Sequence, residues 1–258
     1  MMLFFLGQIF PYIAIMVFLA GMTWRVLIWL KAPVPFQLTL FPAPQTFAGR
    51  IGAIGWEIVS FRCLWRGDRA LWLWAWLMHG SLVLIIGGHI VGIYTLTRQF
   101  TLIGLSPAAS STWSAGFGIA AGIICFLSLI VLFYRRTAIA EVKRLSDPVD
   151  YFDLLLLLAI VISGMHMRLT SLNIDLPAIR SYLAGILTLH PIPIPRTWIF
   201  VSHFTLVNIL LLYFPFSKLV HAAGFVVNRV MITEKPPVYP TPAGRAGEAR
   251  FRPGGRIE

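Results

Sequence analysis

Acidic residues are scarce in this chain, 10 Asp and Glu among 258 residues, and charge of either sign is thin at 12% of the sequence. A soluble domain carries roughly 25% charged residues, so this chain has too little polar coat for a water-facing surface. Cysteine is scarcer still. Cys63 and Cys125 stand 62 positions apart and form no CxxC pair, which excludes a disulfide framework and an iron–sulfur site built from this chain. They read as small buried thiols. The sequence also lacks a Walker motif, a Gly-rich dinucleotide loop and an internal repeat. What it has in abundance is the hydrophobic set, 58% of residues, arranged in long uncharged runs that make the bilayer its solvent. The net charge of +11 would suit nucleic acid only if the basic residues formed one folded polar face, and no soluble domain carries such a face.

Crossing a hydrocarbon core takes about 20 residues, and five runs free of Asp, Glu, Lys and Arg meet that need over all or most of their length. They are residues 1–24, 70–97, a span inside 99–134, 197–217 and, with Asp153 and Arg168 near its two ends, 151–169. The first lacks a basic n-region and a small-residue cleavage signal, which favours a retained span over a signal peptide. The third is expected to begin near Trp113, because Ser106-Pro107 and Ser110-Ser111-Thr112 read as loop. Asp150 and Asp153 open the fourth in positions that favour a helix N-terminus. The fifth follows the break Pro191-Ile192-Pro193-Ile194-Pro195. Runs this apolar on every side are helices, since an open strand would leave its backbone unsatisfied in lipid. The expected fold is therefore an all-α integral membrane bundle of five transmembrane helices over residues 1–232. Residues 233–258, rich in Pro, Gly and Arg, are expected to form an extended basic cytoplasmic tail.

When five spans alternate sides, 17 of the 21 basic residues fall on one side, and only Arg98, Arg168, Arg180 and Arg196 on the other. The positive-inside rule then sets the N-terminus outside and the C-terminus in the cytoplasm, so most of the net charge reports topology rather than a partner. The first cytoplasmic loop starts with Pro33, Pro35, Pro42 and Pro44 and continues into an amphipathic piece around residues 56–65 that suits the interface. Residues 176–189 read as a short outer-surface helix with Pro177 in its first turn. Trp65, Trp72, Trp74 and Trp76 cluster where the second span enters and read as an interfacial belt.

The chemistry resides in histidines. His79 and His89 lie 10 residues apart on the second span, about 15 Å of rise and roughly −80° of rotation. His203 and His221 lie 18 residues apart at the fifth, about 27 Å and five turns, which sets them on one face. The two spans run in opposite directions, so His89 meets His203 near the outer surface and His79 meets His221 near the cytoplasmic one. Ionisable residues in a span are costly and mark function. Two pairs of neutral imidazoles bridging antiparallel helices are what two bis-histidine b haems require, one axial nitrogen on each side of each iron. Such an iron passes electrons and leaves no open position for oxygen chemistry. Gly80, Gly87, Gly88 and Gly92 beside the ligands leave room for a porphyrin plane or for ordinary helix packing. His166 reads either as a structural hydrogen-bonding group or as part of a quinone pocket, and His190 as a solvated loop residue.

Three stretches carry a resemblance: Pro11-Tyr12-Ile13-Ala14 through Phe18-Leu19-Ala20-Gly21, Met78-His79 to Gly88-His89, and Tyr213-Phe214-Pro215-Phe216-Ser217-Lys218-Leu219-Val220-His221. Over residues 1 to about 225 the chain resembles the gamma subunit of respiratory nitrate reductase and its relatives. Within that superfamily the Pro-rich first loop, Ser163-Gly164-Met165 and residues 218–224 look most like the cytochrome b (M) subunit of the Dsr membrane complex, associated with dissimilatory sulfite reductase. The resemblance implies two haems b, held by His89 and His203 outside and by His79 and His221 inside. It also implies exchange of electrons between the menaquinone pool and a cytoplasmic iron–sulfur partner similar to heterodisulfide reductase. The nitrate reductase relatives use a Lys near the outer haem to hold the quinone; between Trp76 and Phe133 this sequence has no Lys, and Arg98 is its one Arg. Arg98 and His166 are thus the candidates for a quinone site.

The chain is expected to have no substrate-reducing site of its own, so it would serve as an electron-transfer subunit of a larger enzyme. A nitrate reductase gamma subunit is the alternative within the class. A transporter or proton channel would pair its histidines with acids deep in the spans, and these spans hold none away from their ends. A haem-free anchor would leave four histidines unexplained.

Overall fold

A computed structural model of the chain describes residues 1–31, 44, 46–170 and 175–232. Among them every regular element is helical. Five helices are long and apolar enough to cross a membrane: α1, Met2–Lys31; α4, Arg69–Thr95; α5, Pro107–Ala138; α7, Pro148–Leu169; and the Trp198–Phe216 segment, whose α-helical part, α9, is Trp198–Tyr213. Shorter helices join them: α2, Phe47–Ser60; α3, Arg62–Gly67; α6, Ala140–Arg144; α8, Leu176–Leu187; and α10, His221–Ile232. The expected tail beyond residue 232, and Pro33, Pro35 and Pro42 of the first loop, lie outside the described residues.

Caps chosen by the sequence set the ends of the spans. Asp68 opens α4 by accepting from the Leu71 amide at 2.8 Å, and its other oxygen takes a hydrogen bond from Arg135 of α5 at 2.6 Å. Leu96 and Thr97 close α4 in the left-handed region at φ 51° and 66°. The α4–α5 connection is then pinned by the Ser110 hydroxyl, which donates to the Thr97 carbonyl at 2.7 Å. This corrects the expected start of the third span: Ser106 is the N-cap, Pro107 takes the first helical position, and the Ser-Thr cluster belongs to α5. At α7 the Asp147 amide donates to Asp150 at 2.9 Å, behind Pro148.

The helices pack in the order α4, α5, α7, α9, α1; each contact joins antiparallel neighbours except that of α9 with α1, which run parallel, Gly7 lying by Ile194 at one end and Arg25 by Pro215 at the other. Asp68 with Arg135, Arg136 with Asp150, Lys218 with Asp150, and Arg25 with Pro215 all meet at one end of the bundle. The opposite end gathers Ser110 with Thr97, Arg168 with Ser114, and Tyr182 with Gly7. At that second end the first span contains a π-helical turn, Phe5–Ile9. A Cβ on Gly7 would stand 2.7 Å from Ile194 Cβ, so only glycine fits there. The Gly7 carbonyl accepts from the Tyr182 hydroxyl at 2.6 Å. The α8 helix is therefore more than a surface element: Tyr182 is fully buried and joins Ile179, Ile186, Ile194, Phe200 and Val201 in one apolar core. A second core of Cys125, Leu129, Leu157 and Val161 joins α5 to α7.

Two further expectations change. Cys63 is exposed, on α3, and only Cys125 is buried. The amphipathic piece of the first loop is two helices, broken at Phe61, whose φ of 49° ends α2. The Trp72 and Trp76 indoles donate to the Ser60 and Val59 carbonyls at 2.7 and 2.8 Å, so these two tryptophans terminate α2 as well as standing at the start of α4.

Candidate functional site

The α4 and α9 helices stand on opposite flanks of α7 and α5 and share no extensive contact. The four candidate histidines face one another across that separation. His89 and His203 have ring centroids 6.2 Å apart with their planes 13° apart. His79 and His221 have centroids 5.9 Å apart at 79°.

The route to His221 differs from the continuous five-turn helix expected from the sequence. Pro215 has no N–H for the helical ladder, and α9 ends at Tyr213. Two 3-10 turns follow, Phe214–Phe216 and Lys218–Val220, before α10 begins at His221. Pro215 is buried against Gly21 of α1, where a Cβ would come within 2.6 Å, and its carbonyl accepts from Arg25 at 3.0 Å. The break lets the chain bend while still delivering His221 opposite His79.

Each of the four rings commits its Nδ1 to a hydrogen bond. His79 donates to the Ala75 carbonyl at 2.8 Å, His89 to the Ile85 carbonyl at 2.7 Å and His221 to the Lys218 carbonyl at 2.8 Å. A carbonyl only accepts, so Nδ1 carries a proton, and in the neutral ring Nε2 is then the nitrogen with the lone pair. His203 Nδ1 lies 2.9 Å from the Ser163 hydroxyl, which itself donates to the Ile160 carbonyl at 2.9 Å, so the serine oxygen accepts from the ring. Orientation of a ligating imidazole through its second nitrogen is what metal-binding histidines require.

Among the described residues no three His, Cys, Asp or Glu side chains gather to hold a metal ion directly. A haem iron asks less of the chain, because the macrocycle supplies the in-plane nitrogens and the protein the axial ligands. Two imidazoles sharing one metal atom set their centroids roughly 6 Å apart, from two bonds of about 2 Å and a ring radius of about 1 Å on each side. Both pairs fit that separation, and their free Nε2 atoms fit the donor chemistry.

The glycines of α4 fit the expectation less well. At about 100° per residue, Gly80, Gly87 and Gly88 lie well away from the bisector of His79 and His89, and a Cβ on any of them or on Gly92 would meet no atom within 4 Å. Gly80, Gly87 and Gly88 neither line the space between the histidine pairs nor face a helix of this chain at their Cβ positions, and Gly92 is buried. The glycine that does touch a candidate ligand is Gly164 of α7, where a Cβ would stand 3.2 Å from His203 Cε1. Sequence reasoning missed this role and that of Ser163, although both belong to the Ser163-Gly164-Met165 stretch it singled out.

The two quinone-site candidates are not brought together with each other by any described contact. His166 is exposed near the end of α7 with its ring 5.9 Å from Trp198. Arg98 is exposed at the α4–α5 connection. His190 is exposed, its Nδ1 donating to the Thr188 carbonyl at 2.7 Å.

Charges concentrate at the end of the bundle that holds His79 and His221. Lys218 bonds Asp147 at 2.8 Å and Asp150 at 3.0 Å, and these bonds, Asp147 first, raise its pKa. Arg136 stands 3.3 Å from the buried Asp150. The Leu71 amide, followed by Arg135, holds the Asp68 carboxyl below the usual carboxylate range.

Comparison with known proteins agrees with this architecture. The nitrate reductase gamma subunit family matches residues 45–239. A cytochrome b-like subunit of an Hdr-like menaquinol oxidoreductase from Archaeoglobus fulgidus is 32% identical, across 84% of this chain and 76% of its own length. The protein of the same description from Archaeoglobus profundus is 28% identical, across 83% and 74%. The nitrate reductase gamma chain of Bacillus subtilis is 31% identical over 54% of this chain and 60% of its own length. With five membrane-crossing helices and these matches over most of its length, the chain is a multi-pass membrane protein belonging to the nitrate reductase gamma subunit family.

Proposed function

We propose that the chain is the membrane electron-transfer subunit of a quinone-linked oxidoreductase complex, with two b haems, one on His89 and His203 and one on His79 and His221. The observation that carries the reading is the pair of facing imidazole couples at 6.2 and 5.9 Å with every Nδ1 already engaged. The bound haems would supply reversible one-electron chemistry at two depths in the bilayer. The chain's own part is to hold four imidazoles oriented through Nδ1, with Nε2 facing the opposite ring of each pair. The basic end, with Arg25, Arg135, Arg136 and Lys218, is the cytoplasmic one by the positive-inside rule, which puts the N-terminus outside.

The menaquinol named in the description of the Archaeoglobus relatives is the quinone we assign to this chain as exchangeable substrate. Arg98 and His166 at the outer end are its candidate contacts. On the cytoplasmic side we assign an iron–sulfur subunit of the heterodisulfide reductase type as partner, within a complex of the Dsr kind associated with sulfite reduction. The Archaeoglobus alignments span most of this chain, whereas the Bacillus gamma chain aligns over about half, which favours this partner over a nitrate reductase. Substrate reduction belongs to that partner.

The test is the reduced-minus-oxidised spectrum of the detergent-solubilised chain with haem quantified per polypeptide. Two haems b per chain are expected. A folded, colourless chain would overturn the reading.

A further inference from the structure

The four candidate ligands are not held alike. His79, His89 and His221 each donate to a carbonyl three or four residues back in their own segment. His203 alone is held from another helix: its Nδ1 meets Ser163 of α7, 40 positions away in sequence, at 2.9 Å. Ser163 is buried at 7% exposure, and its single proton is already given to the Ile160 carbonyl. Its oxygen is therefore fixed as an acceptor, and the two bonds in series polarise one another. Beside it, Gly164 brings the α7 backbone against the same ring, so that an added Cβ would stand 3.2 Å from Cε1 and 3.7 Å from Nδ1.

We infer that Ser163 is a positioning residue that sets the orientation and basicity of His203 and thereby the reduction potential of the outer-pair haem alone. This rests on the haem reading above. An acceptor on the far nitrogen makes an imidazole a stronger donor to its metal, which favours the oxidised iron. Among the described residues no α7 side chain hydrogen-bonds His79 or His221, whose Nδ1 atoms are held by carbonyls of their own segments. The fold thus gives the two centres separate controls, and the outer one is governed by the helix that also carries His166 three residues further on.

The experiment is a redox titration of the purified, haem-loaded chain, followed optically and by electron paramagnetic resonance. The outer-pair haem is identified as the one lost in His89→Ala. Ser163→Ala is expected to retain two haems, to raise the midpoint of that haem and alter its low-spin signal, and to leave the other unmoved; Ser163→Thr, which restores a hydroxyl, is expected to return both values. Unchanged midpoints in Ser163→Ala with two haems present would overturn the inference, as would equal shifts of both haems. Should Ser163→Ala lose a haem, Gly164→Ala decides instead, because it keeps the hydroxyl and presses on the ring: a shift confined to the outer-pair haem supports the inference, and no shift overturns it. A wild-type chain without two haems would instead defeat the underlying reading before any variant is compared.

Discussion

The Lys218 ammonium lies 3.0 Å from the Asp150 carboxylate, 68 positions earlier in the chain. Through this contact the turn that delivers His221 is tied to the first turn of α7. Asp150 is 5% exposed and accepts from Lys218, from the Asp147 amide and, in an ion pair at 3.3 Å, from Arg136. Lys218 is half exposed and has water as an alternative partner. The two ends of the bond are therefore unequal.

Asp150→Ala is expected to cost about 1–3 kcal/mol, because it removes a helix cap and leaves two cations beside a buried site. Lys218→Ala should cost far less, since its charge is solvated and Arg136 still faces the carboxylate. Thermal unfolding of the two variants in one detergent, followed by circular dichroism, checks the order. Equal losses would show that the lysine, not the cap, holds this corner.

Acid should act at the α3–α4 joint. The folded pKa of Asp68 is depressed, by the Leu71 amide first and Arg135 next. Its contribution to stability is then fully present above the unfolded value of about 3.9 and lost as pH falls through the folded one. The pKa of Lys218 is raised, so its contribution is present below about 10.4 and lost as pH rises through its folded value. Between these limits neither group gives a slope. Asp68→Asn should remove part of the acid-side loss and leave the alkaline side unchanged, read as melting temperature against pH.

The glycines of α4 invite a test in the opposite direction. Gly80 and Gly87 lie inside a helix, and a Cβ at either position meets no atom of the chain within 4 Å. Gly80→Ala and Gly87→Ala should therefore each stabilise the isolated chain by about 1 kcal/mol, the ordinary helix-propensity gain, with haem content unchanged. Haem loss on either substitution would show that these positions border the cofactor after all.

Much of this architecture is legible in the sequence, because hydropathy and charge act residue by residue. Uncharged runs locate the spans, and the placement of Arg and Lys against them gives the alternation that the Asp68–Arg135 and Lys218–Asp150 bonds display. The separations between His79 and His89 and between His203 and His221 foretell which rings face each other, even though Pro215 breaks the helix that the second separation assumed. What is not legible is the partner of each polar atom. Ser106 and Ser110 read as loop residues by composition, yet one caps α5 and the other pins the preceding turn. The burial of Tyr182 follows from a π-turn around Gly7 that no local pattern announces. Ser163 is one serine among many until His203 is brought beside it by the packing of α7 on α9.

The pairing of ligands makes a sharper prediction than their identity. If His89 and His203 hold one haem and His79 and His221 the other, a second substitution within a pair has nothing further to remove. His89→Ala and His203→Ala should each leave about one haem per chain, and the double variant should leave the same amount. His89→Ala combined with His221→Ala should leave none, because the losses strike different centres and add, as independent sites do. Of the four candidate ligands Ser163 and Gly164 touch His203, so the inner pair's optical signal should persist unshifted in every outer-pair variant. Haem quantified per chain across these four proteins checks the assignment. Loss of both haems in the His89→Ala and His203→Ala double variant would mean that the two centres depend on one another for assembly, against the separate seating of the two histidine pairs.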